Sequence, residues 1–301
     1  MKKALITGGG GFVGKYLVKY LVDKGYYVWN TSIKSDQKVT SSDRETLVDL
    51  DVTNSEQVKS VFKEVKPDEV YHLAAITKPG LDKINEFYDV NLFGSINILE
   101  NAFFSESKVL LVSSAYIYGS GYDVKIDEEL PLKPINHYGI SKSGADQLCT
   151  HYHLKGLNVV CARPFNHTGP GQSDSFLVPS IIKQCHSSIK TGESITLGNI
   201  HTKRDFLDVR DVIEVYDKLI NLGDSGDFYN VCSGEGLSVH QIFEKINVQF
   251  GNGIKLEVEE TKKRKFDIPS LVGSNKKLID RIGDFRNFNF ESTITDMIKQ
   301  D

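Results

Sequence analysis

A phenol and an ammonium stand four residues apart in Tyr138-Gly139-Ile140-Ser141-Lys142. On a helix two such side chains share one face. A positive charge beside a phenol stabilises the phenolate and lowers its pKa toward neutrality, so Tyr138 becomes a usable proton donor or acceptor. Such a pair is common by chance, but other stretches give it weight. Near the start, Ala4-Leu5-Ile6-Thr7 runs into Gly8-Gly9-Gly10-Gly11, and residues 12–22 then place apolar side chains at helical spacing. Strand, glycine turn and helix in that order form a site for a diphosphate. Glycines let the backbone turn sharply and approach the ligand, and the helix start offers free N–H groups. The glycines fit two registers: Gly9, Gly11, Gly14 and Gly8, Gly11, Gly14. Further on, Ser114 and Tyr116 lie in Ser113-Ser114-Ala115-Tyr116-Ile117-Tyr118-Gly119, and Asn91 lies in Val90-Asn91-Leu92-Phe93-Gly94.

The elements that must position these residues alternate. Strands are expected at 27–31, 46–50, 69–73, 109–113 and 159–162, and helices at 58–65 (stopped by Pro67), 86–104 and 137–154 with Asn136 as N-cap. Such alternation predicts an α/β protein: a doubly wound parallel Rossmann sheet with helices on both faces. Ligands of these sheets bind beyond the carboxyl ends of the strands. That puts residues 8–14, Ser32, Asp51, 73–77 and 113–118 around one crevice. After Arg163 the elements become shorter and mixed. A Rossmann domain over 1–163, with 200–222 returning to it, and a smaller mixed α/β substrate domain over 164–301 are expected.

Bulk composition excludes several classes. The net charge of −4 gives no reason to expect nucleic acid or an anionic membrane as partner. No apolar run approaches the length of a membrane span. Met1-Lys2-Lys3 leads straight into the first strand, so a cytoplasmic protein without a signal peptide is expected. Cys149, Cys161, Cys185 and Cys232 are far apart and form no metal-type pair, which suggests reduced thiols and no metal.

In simple dinucleotide folds an acidic residue ends the second strand and binds the ribose hydroxyls of NAD. Here the matching stretch is Asn30-Thr31-Ser32-Ile33-Lys34, with a hydroxyl and a cation but no carboxylate. A 2′-phosphate is tolerated there. NADP(H) is therefore favoured and NAD(H) is the alternative. Asp51 either accepts from the adenine amino group or caps the next helix.

With residues 7–14, Asp51, His72-Leu73-Ala74-Ala75, Asn91, Ser114, Tyr138 and Lys142 in place, the chain resembles the extended short-chain dehydrogenase/reductase family over nearly its whole length. The resemblance implies roles: Tyr138 is the acid/base, Lys142 holds the cofactor ribose and tunes the tyrosine, and Ser114 polarises the substrate oxygen. It implies cofactor contacts from Gly8, Gly11, Phe12, Val13, Gly14, Ser32, Lys34, Asp51, Val52, Leu73, Ala74, Ala75, Asn91 and Pro164, beside Tyr138 and Lys142. It also implies a homodimer formed through helices 86–104 and 137–154.

The stretch Arg163-Pro164-Phe165-Asn166-His167-Thr168-Gly169-Pro170-Gly171-Gln172 is similar to the matching segment of GDP-4-keto-6-deoxy-D-mannose reductases and related GDP-mannose 4,6-dehydratases, as are residues 204–211 and 229–234. Relatives that dehydrate nucleotide sugars carry an acidic residue after the serine or threonine. This chain has Ala115 and Tyr116 there, so removal of a carbon-bound proton is disfavoured. Thr77, Ser114 and Tyr116 are expected to meet the sugar, Asn166 a phosphate or sugar group, and Lys183, Arg204 and Arg264 to neutralise a diphosphate. The loop 76–82 departs from the polar, serine-rich loop of those relatives. The expected function is NAD(P)H-dependent reduction of the C4 keto group of a nucleotide-diphosphate 4-keto-6-deoxy sugar, GDP-linked by preference, for polysaccharide precursors. A 4-epimerase with bound NAD and a non-enzymatic NADP-sensing protein are the alternatives.

Overall fold

The computed structural model describes residues 1–33, 42–77, 84–259, 261 and 267–300. Its strands are β1 (Lys3–Thr7), β2 (Tyr27–Ser32), β3 (Glu45–Asp49), β4 (Glu69–His72), β5 (Lys108–Val112), β6 (Val159–Pro164), β7 (Asn166–Thr168), β8 (Ile195–Leu197), β9 (Lys203–Asp208), β10 (Phe228–Val231), β11 (Gly236–Ser238), β12 (Leu256–Val258) and β13 (Ser270–Leu271). Its α-helices are α1 (Phe12–Asp23), α2 (Ser55–Val65), α3 (Ile84–Tyr88), α4 (Gly94–Phe104), α5 (His137–Leu154), α6 (Leu177–Thr191), α7 (Val209–Leu222), α8 (Val239–Gln249), α9 (Lys276–Ile282) and α10 (Phe290–Gln300).

Seven parallel strands form the main sheet in the order β10-β6-β5-β4-β1-β2-β3. The order reverses at β1, with β2 on one side and β4 on the other. The crevice above the carboxyl ends of β1 and β4 is therefore the topological switch point where such sheets take ligands. Burial on both faces explains why the central strands read as continuous apolar runs. On one face Leu17, Leu21, Val212, Tyr216 and Leu278 pack on Ala4, Ile6 and Leu110. On the other, Val58, Phe62, Ile98, Leu99 and Cys149 pack on Leu5, Val70 and Val109. A separate core of Ile182, Ile242, Ile246, Ile294 and Met297 holds α6, α8 and α10 around β8.

Two elements differ from the sequence reading. The expected helix 86–104 is interrupted: residues Asp89–Phe93 form a π-helical turn between α3 and α4. Gly94 N–H reaches back to Asp89 O, and a side chain at Gly94 would strike Val52. The first layer also takes more of the chain than 200–222. The strand β10 pairs with β6, and Leu278 and Ile282 of α9 join the core under α7. The strand β10 has four residues and lies far along the chain from its partner β6, outside the strand–helix alternation that marked the others. The four cysteines are buried and free, and no described helix is long and apolar enough to cross a membrane.

Candidate active site

The glycine turn is held by steric demand at particular positions. Gly8 has φ +71°, where side chains are rarely tolerated, and a Cβ there would lie 2.9 Å from Ala74 N. A Cβ on Gly9 would overlap the Asn30 amide, and one on Gly14 the Gly8 carbonyl. Backbone sterics therefore demand glycine at 8 and 14, two positions of the second register, while the clash at 9 is with a side chain. No side chain caps α1, whose N-cap is Gly11, so its first-turn amides remain available to an anion.

Beside this turn lies a cavity of about 540 Å³. It is lined by Gly8, Ser32, Ile33, Leu50, Asp51, Val52, Ala74, Ala75 and Ile76, among others. Uncapped amides, a glycine cradle that a Cβ would fill and an apolar cavity at the switch point fit a dinucleotide. Asp51 lines the cavity, and its carboxylate accepts from the Thr53 amide and hydroxyl without capping α2. The cap of α2 is instead Asn54, which accepts from Gln57 N.

The helix α5 begins as expected, with the Asn136 side chain accepting from Gly139 N at 2.8 Å. It presents Tyr138 and Lys142 among buried residues. The Tyr116 ring meets Tyr138 edge-on at 5.7 Å, and Phe87 lies at 6.4 Å. Burial pushes the Tyr138 phenol up to about 12, while the nearby Ser114 side chain pulls the other way. This corrects the expectation that Lys142 lowers the phenol pKa. The Lys142 ammonium donates to Val112 O at 2.5 Å, and burial is the largest cause of the phenol's shift. Burial also pulls Lys142 itself down to about 8, opposed by Cys161 and Asp146.

That shift is a stability statement. The ordinary lysine value is 10.5, so between about pH 8 and 10.5 the unfolded chain binds a proton that the folded one has released, and stability rises with pH. Below that window the folded state carries the full cost of a buried ammonium, on the order of 3 kcal/mol. Loss of the bond to Val112 O offsets about 1 kcal/mol. Lys142→Met is therefore expected to stabilise the protein by roughly 2 kcal/mol at pH 7, with the gain over wild type shrinking as pH rises toward 10.5. Urea titrations at several pH values check this; a variant less stable than wild type at pH 7 contradicts it.

Asn91 sits on the π-turn, fully buried. Its amide accepts from Ile76 N at 2.8 Å and donates to Ile76 O and Ser141 Oγ. It thus ties the loop after β4 to α5. Leu73 and Pro164 close the strands flanking the crevice: Leu73 packs on the sheet core and Pro164 pairs with Val231. Phe12 and Val13 open α1, with Phe12 facing the His167 ring at 6.5 Å.

The substrate-side expectations divide. Asn166 Oδ1 is buried without a partner, as a group awaiting a ligand would be. Thr77 is exposed. Lys183 is exposed and pairs with Asp174, so its charge is already answered at the surface. Arg204 is buried and committed: it donates to Lys203 O, Ile268 O and Asp267 Oδ1. It anchors the segment before β13 instead of facing a diphosphate, because a desolvated guanidinium takes the nearest carboxylate and carbonyls. Lys34 and Arg264 lie outside the described residues, as does most of the loop 76–82.

Two groups with no binding role expected from sequence have unused hydrogen-bonding capacity. Ser113 Oγ is buried without a partner at the end of β5, and the doubled serine was the available signal. His167 donates Nδ1–H to Phe165 O at 3.2 Å, which leaves Nε2 as an acceptor on a ring that burial keeps neutral. Its place in the 163–172 stretch was the signal. Among the described residues no cluster could hold a metal ion.

A family model described as GDP-mannose 4,6 dehydratase matches residues 5–297. The GDP-6-deoxy-D-talose 4-dehydrogenase of Aggregatibacter actinomycetemcomitans is 33% identical over 303 residues, spanning 99% of this chain and 97% of that protein. The GDP-6-deoxy-D-mannose reductase of Pseudomonas aeruginosa is 31% identical over 292 residues, spanning 94% and 91%. Among solved structures, that of RMD from Pseudomonas aeruginosa complexed with NADPH superposes with a TM-score of 0.84 at 28% identity, covering 100% of this chain and 98% of that one.

Proposed function

The chain belongs to the GDP-mannose 4,6 dehydratase family, and from that premise we propose that it is an NADPH-dependent reductase of a GDP-linked 4-keto-6-deoxyhexose. The observation that carries this reading is the buried Tyr138 at the start of α5, its phenol held neutral by burial and the Ser114 side chain acting on it from the end of β5. When bound, the nicotinamide supplies a hydride to the C4 carbonyl carbon. Tyr138 gives its proton to the C4 oxygen, which completes the alcohol. Ser114 orients that oxygen against the phenol. Lys142 meets the cofactor ribose from the same helix face. A phenol held near pKa 12 keeps its proton through neutral pH, which suits an acid in the reducing direction.

Dehydration, the reaction in the family's name, needs a base to remove a carbon-bound proton. Ala115 and Tyr116 supply no carboxylate beside Ser114. The names of the two relatives support reduction or its reverse at C4. These two sugars, 6-deoxytalose and 6-deoxymannose, differ in configuration at C4, so product stereochemistry is read from the product. We also propose a homodimer through α4 and α5, where Phe104 and Leu154 stand 74% and 79% exposed, and a cytoplasmic location, where nucleotide sugars are made.

The test is NADPH oxidation with a panel of 4-keto nucleotide sugars, with product configuration assigned by NMR and assembly state by sedimentation. One NADPH consumed per sugar, with the GDP sugar preferred, is expected. Turnover with no net cofactor change would identify an epimerase, and binding without turnover a cofactor sensor.

A further inference from the structure

A chain of hydrogen bonds runs under the crevice, and its proton positions are all determined. Ala74 N–H donates to Thr7 Oγ1 at 3.2 Å. Thr7 Oγ1 meets His72 Nδ1 at 2.7 Å, and His72 Nε2 meets Ser95 Oγ at 2.9 Å. Ser95 Oγ meets Asn91 O at 2.7 Å. A carbonyl only accepts, so the single Ser95 proton goes to Asn91 O, and Ser95 must accept from His72. His72 is therefore the Nε2–H tautomer, and its bare Nδ1 accepts from Thr7. Thr7, His72, Ser95 and Asn91 are each at most 1% exposed. Burial, with the Lys142 charge nearby, pulls His72 down to about 3, so the ring stays neutral.

The chain joins three pieces that line the crevice. Thr7 leads into the glycine turn. Ala74 lines the cavity and lies against Gly8. Asn91 is the π-turn residue whose amide holds Ile76 and Ser141, and Ser141 Oγ donates to Tyr138 O at 2.9 Å. We propose that His72 is a positioning residue: as a neutral two-ended connector it sets the spacing between the loop after β4 and the π-turn, and so the register in which the dinucleotide binds. No proton moves along it. A protonated ring would present two donors and lose its bond from Thr7.

This inference rests on the cleft's binding a dinucleotide, and its test separates the two. The full chain is titrated with NADPH and with NADH, following nicotinamide fluorescence, beside steady-state kinetics. His72→Phe keeps ring volume and deletes both hydrogen bonds. About tenfold weaker cofactor binding and a matching rise in cofactor KM are expected, with the sugar KM within about twofold. His72→Gln carries an amide NH2 donor group and one acceptor oxygen, and is expected to recover most of the loss; a purely space-filling role would show the opposite ranking. If His72→Phe does not fold, Thr7→Val leaves the ring in place, cuts the links to Ala74 N and His72 Nδ1, and is expected to weaken cofactor binding in the same direction. A folded His72→Phe or Thr7→Val that binds cofactor like wild type overturns the proposal. Wild type that binds neither dinucleotide sinks the functional reading itself.

Discussion

Replacing Tyr138 with phenylalanine is expected to lower turnover of the 4-keto sugar by about a thousandfold, within the range of general-acid contributions, while NADPH binding stays within about twofold. The ring is held by Tyr116 and Phe87 and by burial on α5, none of which needs the hydroxyl. Phenylalanine therefore keeps the packing and removes only the phenol hydroxyl and its proton. Because the phenol is raised to about 12, wild-type reduction is expected to be flat through neutral pH and to fall only as Tyr138 ionises. Single-turnover rates with saturating NADPH check the first point and a pH profile the second. Residual activity above a tenth of wild type would remove Tyr138 from the chemistry.

Replacing Arg163 with methionine is expected to cost about 3–5 kcal/mol of stability, the largest loss from any single change considered. The guanidinium is 4% exposed and its partner Asp146 is 0% exposed. Nε and Nη2 donate to the two carboxylate oxygens at 3.0 and 2.8 Å, and Nη1 donates to Tyr118 OH and Glu128 O. Tyr118 OH passes the network to Asn230 Oδ1 on β10. Burial works against the Arg163 charge, yet the bond to Asp146 keeps its pKa raised. Methionine fills much of the volume but leaves a carboxylate desolvated one helical turn beyond Lys142. Arg163→Met with Asp146→Leu removes both charges and is expected to recover most of the loss. Urea midpoints of the three variants and wild type form the cycle. A single variant within about 1 kcal/mol of wild type would show that the pair is dispensable.

The Arg163 result bears on how motifs are read. Stretches that resemble substrate-binding segments mix ligand-facing residues with residues that hold the framework. In 163–172, Arg163 locks α5 to β6, whereas Asn166 keeps an unpartnered oxygen. In 204–211, Arg204 anchors Ile268 and Asp267, and the buried Asp205 accepts from Ser233 and from the amides of Gly234 and Gly273. Linear order does not distinguish these uses, because a guanidinium or carboxylate has the same chemistry whether its partner is a ligand or a neighbouring strand.

The order of strands and helices, the glycine turn, the N-cap at Asn136 and the Tyr138–Lys142 face were legible in the chain itself. Each depends on local rules: apolar periodicity, backbone sterics, or a four-residue helical repeat. Tertiary structure alone decided which way the phenol pKa moves, since desolvation depends on what packs around Tyr138 and not on its neighbours in sequence. It alone broke the helix at Asp89–Phe93, brought β10 to β6, turned Arg204 inward and Lys183 outward, and joined Thr7, His72, Ser95 and Asn91 from distant parts of the chain. Charges and hydrogen bonds take their partners from space, and space is set by the whole packed chain.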